Sequence, residues 1–172
     1  MTRMFPLSLA AASLLAATSL VACKKKSQMD VTAAREVLVA FTQAGADHAA
    51  LTTALRPKPE DYAAVFTGDA AEQAKAVMEP IWDGAKAVLD PAAEQTQVDV
   101  VGVTPDQLSK DEGDAASCPV GYKAIADKLD PKIVVYCAQF VKPGEKHGLS
   151  VDALVQVGDH WALFPKPFRV LK

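Results

Sequence analysis

The strongest constraint on the fold is an alternation of apolar and polar residues near the C-terminal end of the chain. Apolar residues occupy every second position from Leu149 to Val157, and mostly polar residues, Asp152 among them, lie between them. Because side chains of a strand point alternately to its two faces, this pattern predicts a strand with one buried face, with Asp152 facing away from it. Gly158-Asp159 is typical of a two-residue hairpin turn. We therefore expect residues 160–164 to return as an antiparallel strand.

Two further segments complete the predicted sheet. Residues 132–141 carry apolar side chains at odd and even positions alike, which predicts a central strand covered on both faces. Residues 98–103 form a short valine-rich run that predicts a fourth strand. Between them, residues 104–117 are polar and are interpreted as a surface loop, and residues 119–129 predict a short helix.

The N-terminal half of the chain predicts helices. Apolar residues recur at steps of three and four from Val37 to Leu55, which is the period of one helix face. Asp30 precedes this segment as a candidate N-cap. Gly45 leaves a second reading open, in which the helix is interrupted and Asp47 caps a new one.

Two more helices are predicted before the sheet. Pro59 suits the first turn of one helix, and Asp69 begins another that extends to Leu89 and is kinked by Pro80. Helices first and strands afterwards predict an α+β fold. We expect N-terminal helices packed on a curved antiparallel sheet of about four strands, ending in a C-terminal β-meander.

The first 22 residues have the layout of a secretory signal peptide. Arg3 supplies a basic start, residues 5–21 are apolar and uncharged, and Ala22 is the small residue expected before a cleavage site. A transmembrane helix over residues 4–23 is the alternative, since a span needs about 20 residues. The abundance of Ala and Ser and the small-residue junction favour the signal peptide.

Leu20-Val21-Ala22-Cys23 resembles the lipobox of bacterial lipoproteins at every position. The resemblance implies that the thiol of Cys23 receives a diacylglycerol, that the leader is cut before Cys23, and that the new amino group is acylated. It divides the chain into a signal peptide (residues 1–22), a lipidated basic tether (residues 23–29) and a single α+β domain (residues 30–172). Two or three acyl chains would anchor the domain stably to a membrane.

The lipobox also implies a location in the bacterial cell envelope, with the domain facing the periplasm or the exterior. Lys24-Lys25-Lys26 is either a solvated spacer or a contact with anionic headgroups, at about 1 kcal/mol per basic residue. In enteric bacteria an Asp after the lipidated Cys signals retention at the inner membrane. Lys24 occupies that position here, so the outer membrane is favoured over the inner one.

Charge and cysteine content restrict the partners. The chain has a formal net charge of −3 and no basic cluster beyond the tether, which argues against nucleic acid. With Cys23 lipidated, Cys118 and Cys137 remain, and in an oxidising compartment they are expected to form a disulfide. Two buried thiols are the alternative, and a zinc site with His147 and His160 fits no familiar spacing. We predict no metal and no cofactor.

Three phrases resemble the cone-shaped α+β fold of the nuclear transport factor 2-like superfamily. They are Val39-Ala40-Phe41, Gly45-Ala46-Asp47-His48-Ala49-Ala50-Leu51 and the ending Val157-Gly158-Asp159-His160-Trp161-Ala162-Leu163. The resemblance implies a pocket between helices and sheet, which members of this superfamily use for binding or for catalysis. The stretch from Gly148 to Arg169 also looks like that of uncharacterised exported bacterial proteins.

Four residues are candidates for lining such a pocket: His48, Tyr62, Trp82 and Trp161. For each of them, packing in the core is the competing interpretation. Serine hydrolase, phosphate-loop and metalloprotease motifs are absent, and no residue is predicted to be catalytic. The sequence therefore favours a non-catalytic lipoprotein domain that binds a small apolar ligand or an envelope protein. The alternative is an enzyme with its active site in the pocket between helices and sheet.

Overall fold

In this computed structural model, residues 30–84 and 89–171 are described. The predicted signal peptide, the lipidated Cys23 and the tether all lie outside the described residues. The α-helices are α1 (Val31–Val39), α2 (His48–Thr53), α3 (Asp61–Val65), α4 (Asp69–Asp83) and α5 (Pro105–Lys110). The strands are β1 (Gln97–Val103), β2 (Val135–Val141), β3 (Leu149–Val157) and β4 (His160–Leu163). Short 3-10 helices cover Ala40–Thr42, Gly113–Ser117, Val120–Lys128 and Pro167–Arg169.

The four strands form one antiparallel sheet in the order β1-β2-β3-β4. Helices precede the sheet, and β2, β3 and β4 form a C-terminal meander. The predicted α+β fold class is therefore confirmed. β2 is buried along almost its whole length, as expected for a strand with apolar residues on both faces. Within the described residues, no helix is both long and apolar enough to cross a membrane.

Two aspartates fix the starts of the first helices. A carboxyl oxygen of Asp30 accepts a hydrogen bond from Ala33 N at 2.9 Å, and Asp47 does the same for Ala50 N at 2.9 Å. The apolar face that the sequence shows is thus shared between α1 and α2. The helix is interrupted at Gly45, whose φ of 77° is open to glycine but costly for other residues.

Residues 104–117 are not the surface loop that their polarity predicted. Thr104 and Gln107 form a reciprocal capping box, and Pro105 occupies the first turn of α5. A second helical turn follows over Gly113–Ser117. Acidic side chains indicate solvent exposure, and a surface helix is as exposed as a loop. The interpretation as a loop was wrong for this reason.

The predicted helix that begins at Asp69 ends at Asp83, and residues 85–88 of it lie outside the described residues.

The core lies between the helices and the sheet. Phe164, which follows β4, is fully buried and packs edge-to-face against Tyr62 and Phe66, with ring centroids 5.4 and 5.3 Å apart. At the other end of the sheet, Phe41 packs against Phe140 at 5.9 Å. These aromatic pairs join the helical N-terminal half of the domain to residues about a hundred positions later in the chain.

A β-bulge interrupts the pairing of β2 with β3. Tyr136 pairs with Leu154 and Ala138 pairs with Val151, so Cys137 alone lies opposite two residues, Asp152 and Ala153. Ala153 adopts a left-handed φ of 56°, which is unusual for a residue with a Cβ. Strict alternation is lost at this point, and Asp152 is only 7% exposed. Asp152 lines a cavity together with Ser150, as expected for residues on one face of a strand, but that face is also covered at this point.

Candidate functional site

The four residues predicted to line a pocket lie in different parts of the domain. Tyr62 and Trp82 are buried in the hydrophobic core, and their Oη and Nε1 atoms have no hydrogen-bond partner among the described residues. Trp161 packs edge-to-face against Tyr136, with ring centroids 5.3 Å apart. Of the four, only His48 lines either of the two cavities described below. Burial fits the core interpretation for Tyr62 and Trp82, whereas His48 lines a cavity.

The larger cavity is a groove between two loops, which we call the loop groove. It has a volume of about 410 Å³ and is formed by residues 41–46 with His48 on one side and by Pro91, Ala92, Ala93, Gln95 and Thr96 on the other. Apart from His48, no side chain in this lining is ionisable. Small-molecule sites in proteins typically measure about 300–1,000 Å³. The groove is thus of the right size for a small neutral ligand.

His48 joins the two sides of the loop groove. Its Nδ1 lies 2.7 Å from Asp90 Oδ1, and its Nε2 lies 2.8 Å from the carbonyl oxygen of Phe41. Both partners are acceptors, so both contacts are hydrogen bonds only when the imidazole carries two protons. The hydrogen bond to Asp90 and then the one to Phe41 raise the pKa of His48 above its usual 6.5. The groove is therefore held most firmly when His48 is charged.

We expect this contact to make a small, pH-dependent contribution to stability. A pKa raised on folding stabilises the folded state fully below pH 6.5, and this stabilisation is lost as the pH rises through the folded pKa. Asp90 is 79% exposed, so the contribution stays below about 1 kcal/mol. NMR titration of the His48 ring in the wild type and in Asp90→Asn measures it, and the variant should have the lower pKa. Equal titration curves for the two proteins would contradict the prediction.

The smaller cavity has a volume of about 210 Å³ and lies beside the β-bulge. We call it the bulge cavity. It is lined by Ser117, Cys118, Pro119, Cys137, Ala138, Gln139, Ser150 and Asp152. The sulfur atoms of Cys118 and Cys137 are at bonding distance, and their Cα atoms are 5.5 Å apart, which is typical of a disulfide. A disulfide and a buried carboxyl group therefore form parts of the same wall.

Burial dominates the electrostatics of the bulge cavity. It raises the pKa of Asp152, and the positive charges of Lys166 and Arg169 only partly oppose this. No hydrogen bond to a described residue offsets the loss of water around the carboxyl group. The hydroxyl of Tyr122 is also buried without a hydrogen-bond partner among the described residues, and burial raises its pKa well above 10. A raised carboxyl pKa beside an open cavity is typical of a group that exchanges protons.

Comparisons with known proteins add nothing to this geometry. No family model, curated protein or solved structure matches the chain significantly. Within residues 30–84 and 89–171, no three His, Cys, Asp or Glu side chains are grouped so that they could hold a metal ion.

Sequence reasoning missed the walls of both cavities for different reasons. The loop groove brings together loops about 50 residues apart, and their Ala, Gln and Thr residues carry no motif. The bulge cavity depends on a register shift that leaves no mark in the hydrophobic pattern. One signal was available: Asp152 is the only acidic residue among the mostly apolar positions of β3.

Proposed function

We propose that this protein is a lipid-anchored envelope protein whose domain binds a small, uncharged and mostly apolar ligand in the loop groove. The observation that carries the proposal is the groove itself, a cavity of about 410 Å³ with a nearly uncharged lining. Phe41, Pro91 and several alanines offer apolar contact, and Gln43 and Gln95 offer amide groups that could orient a ligand. A mostly apolar lining with a few polar groups is typical of small-molecule sites.

The position of the groove is compatible with an anchor on Cys23. The tether enters the domain at Asp30, where α1 begins, and the groove begins at Phe41, just beyond the end of the same helix. At 1.5 Å per residue, these two points are separated by about 16 Å along the helix. A ligand in the groove is therefore bound at the end of α1 remote from the attachment of the tether.

One experiment tests both parts of the proposal. We expect native mass spectrometry of the protein extracted from its own envelope in mild detergent to show two added masses. One is a covalent lipid on a chain that begins at Cys23, and the other is a small molecule that dissociates on collisional activation.

Three variants separate the lipid from the ligand. Cys23→Ser should abolish the lipid, because the thioether cannot form. Ala44→Trp should fill the groove and abolish the small molecule while leaving the lipid in place. Ala64→Trp is the matched control, since Ala64 is also exposed but lies on α3 outside the groove. A small molecule retained by Ala44→Trp, or absent from the wild type, would overturn the groove proposal. A chain that keeps residues 1–22 would overturn the anchor.

A second candidate function, catalysis, is favoured by one observation. Asp152 is a buried carboxyl group with a raised pKa that lines an open cavity. Burial of a carboxyl group without a hydrogen-bond partner costs stability, so such groups are found where their proton chemistry is used. The bulge cavity is separate from the loop groove, and the two functions are not exclusive.

A further inference from the structure

The backbone of β3 is distorted at Asp152, which lines the bulge cavity together with both cysteines of the disulfide. The bulge sets Asp152 and Ala153 together opposite Cys137, and Ala153 takes the left-handed conformation. A hydrogen bond from the segment after β4 stabilises the distortion, because the carbonyl oxygen of Ala153 accepts a hydrogen bond from Phe164 N at 3.0 Å. Strained backbone of this kind is over-represented at functional sites. Here it lies beside a carboxyl group that shares a cavity with both cysteines of the disulfide.

Nothing in the described part of the chain explains Asp152 as a structural residue. Its carboxyl group takes part in no hydrogen bond or ion pair there, although Lys166 and Arg169 are near enough to act on it through space. A purely structural site at this position would be filled more favourably by an apolar or amide side chain. The carboxyl group is therefore unlike Asp30, Asp47 or Asp61, each of which accepts a backbone hydrogen bond.

The cavity gives solvent and small groups access to the disulfide. Its volume of about 210 Å³ is far above the roughly 10–15 Å³ that a single water needs. Cys118 and Cys137 both line it, and the exposed residues Ser117 and Ser150 form part of its rim. Both cysteines are thus buried in the domain, and both border a cavity that opens to solvent.

We propose that the Cys118–Cys137 disulfide exchanges with dithiols, and that Asp152 donates and accepts the protons of this exchange. The co-reactant is a dithiol, either a small molecule or two cysteines of another envelope protein. This proposal rests on the second candidate function and is independent of the loop groove and of the lipid anchor.

The exchange begins when a thiolate of the dithiol attacks Sγ of Cys118. A bond forms between the two sulfurs, the Cys118–Cys137 bond breaks, and its electron pair goes to Sγ of Cys137. Asp152, opposite Cys137 across the bulge, gives its proton to this leaving sulfur and becomes a carboxylate. A leaving thiolate in a desolvated site is costly, so protonation in the same step lowers the barrier.

The second step releases the partner. The carboxylate of Asp152 takes the proton of the partner's second thiol. The resulting thiolate attacks the partner sulfur that is bonded to Sγ of Cys118. The mixed disulfide breaks, and Sγ of Cys118 leaves and takes a proton from solvent. Two electrons have passed from the dithiol to the protein, which now holds two thiols, and the partner holds a disulfide. In the reverse direction, the same steps oxidise the two thiols of the protein to a disulfide and reduce the disulfide of the partner to a dithiol.

The test is the rate at which dithiothreitol reduces the disulfide, measured by thiol alkylation and mass spectrometry from pH 5 to pH 9. Each rate is divided by the dithiothreitol thiolate fraction at that pH. We expect Asp152→Asn to be reduced at least tenfold more slowly than the wild type at the acidic end. The difference should shrink as the pH rises through the raised pKa of Asp152, because a carboxylate has no proton to donate.

The variant distinguishes proton transfer from two simpler roles. If Asp152 acted only by its charge, its removal would speed attack by an anionic thiolate, and a faster Asp152→Asn would overturn the proposal. If the disulfide were only structural, dithiothreitol would reduce it no faster than the domain unfolds. The ratio of the reduction rates of the wild type and Asp152→Asn would then equal the ratio of their unfolding rates, and this result would overturn the proposal. Asp159→Asn, in the exposed β3–β4 turn, is the matched control and should react like the wild type. Circular dichroism of each variant checks that it is folded, and asparagine keeps nearly the shape of the side chain while removing its acidic proton.

Discussion

Replacement of Phe164 by alanine is expected to lower the free energy of unfolding by about 3–5 kcal/mol, the range for removing a fully buried phenylalanine ring. Phe164 is 0% exposed and contacts the rings of Tyr62 and Phe66 edge-to-face. The substitution removes the ring that joins the end of the meander to α3, and the aromatic neighbours cannot close the cavity without leaving their own positions. Urea denaturation of the chain from residue 24 onward measures the loss.

Two further variants keep this prediction testable. Domains of this size are stable by about 5–15 kcal/mol, so Phe164→Ala can leave too little folded protein to measure. Phe164→Leu keeps much of the volume and should lose a smaller amount. Val120→Ala removes an apolar side chain that is 90% exposed and should change stability by less than about 0.5 kcal/mol. A loss below about 1 kcal/mol for Phe164→Ala would show that Phe164 does not organise the core.

The sheet was predictable because β3 and the turn after it carry the pattern of a β-hairpin. Leu149 to Val157 alternates over nine residues, and Gly158-Asp159 lies at the turn, with φ of 60° at the glycine. α5 was missed although Thr104 and Gln107 have the spacing of a capping box. The polar composition of the segment indicates a loop and the capping spacing indicates the start of a helix, and the capping spacing is the physically specific signal.

The candidate sites were much less predictable, because they depend on contacts between distant residues. His48 was selected from the sequence, but its partner Asp90 is 42 residues away and is an ordinary loop aspartate in the sequence. The alternation that predicts β3 places Asp152 on the face of Ser150, and the two residues line one cavity, but it does not show that this face is covered there. The same regularity also hides the bulge, where the strand departs from it.

A buried contact that the sequence did not indicate gives the second large effect. Asp61 is 1% exposed, and its Oδ2 accepts hydrogen bonds from Lys58 N at 2.7 Å and from His160 Nε2 at 2.9 Å. His160 is the first residue of β4, so this contact joins the start of α3 to the last strand across 99 residues. We expect His160→Ala to lower the free energy of unfolding by about 2–3 kcal/mol, because it leaves a buried carboxyl group with a single partner.

A double-mutant cycle separates this contact from the other effects of each substitution. Asp61→Ala also loses the hydrogen bond to Lys58 N, so its single effect contains more than the pair. The double variant Asp61→Ala/His160→Ala should therefore be more stable than the sum of the two single losses predicts, by about 0.5–3 kcal/mol. Additive losses would mean that water replaces His160 at Asp61 without cost. The side chain of His160 is 27% exposed, whereas that of Asp61 is 1% exposed. Water can thus solvate the imidazole when its partner is lost, whereas the carboxyl group is almost inaccessible to water in the folded domain, and this asymmetry is why the pair should couple.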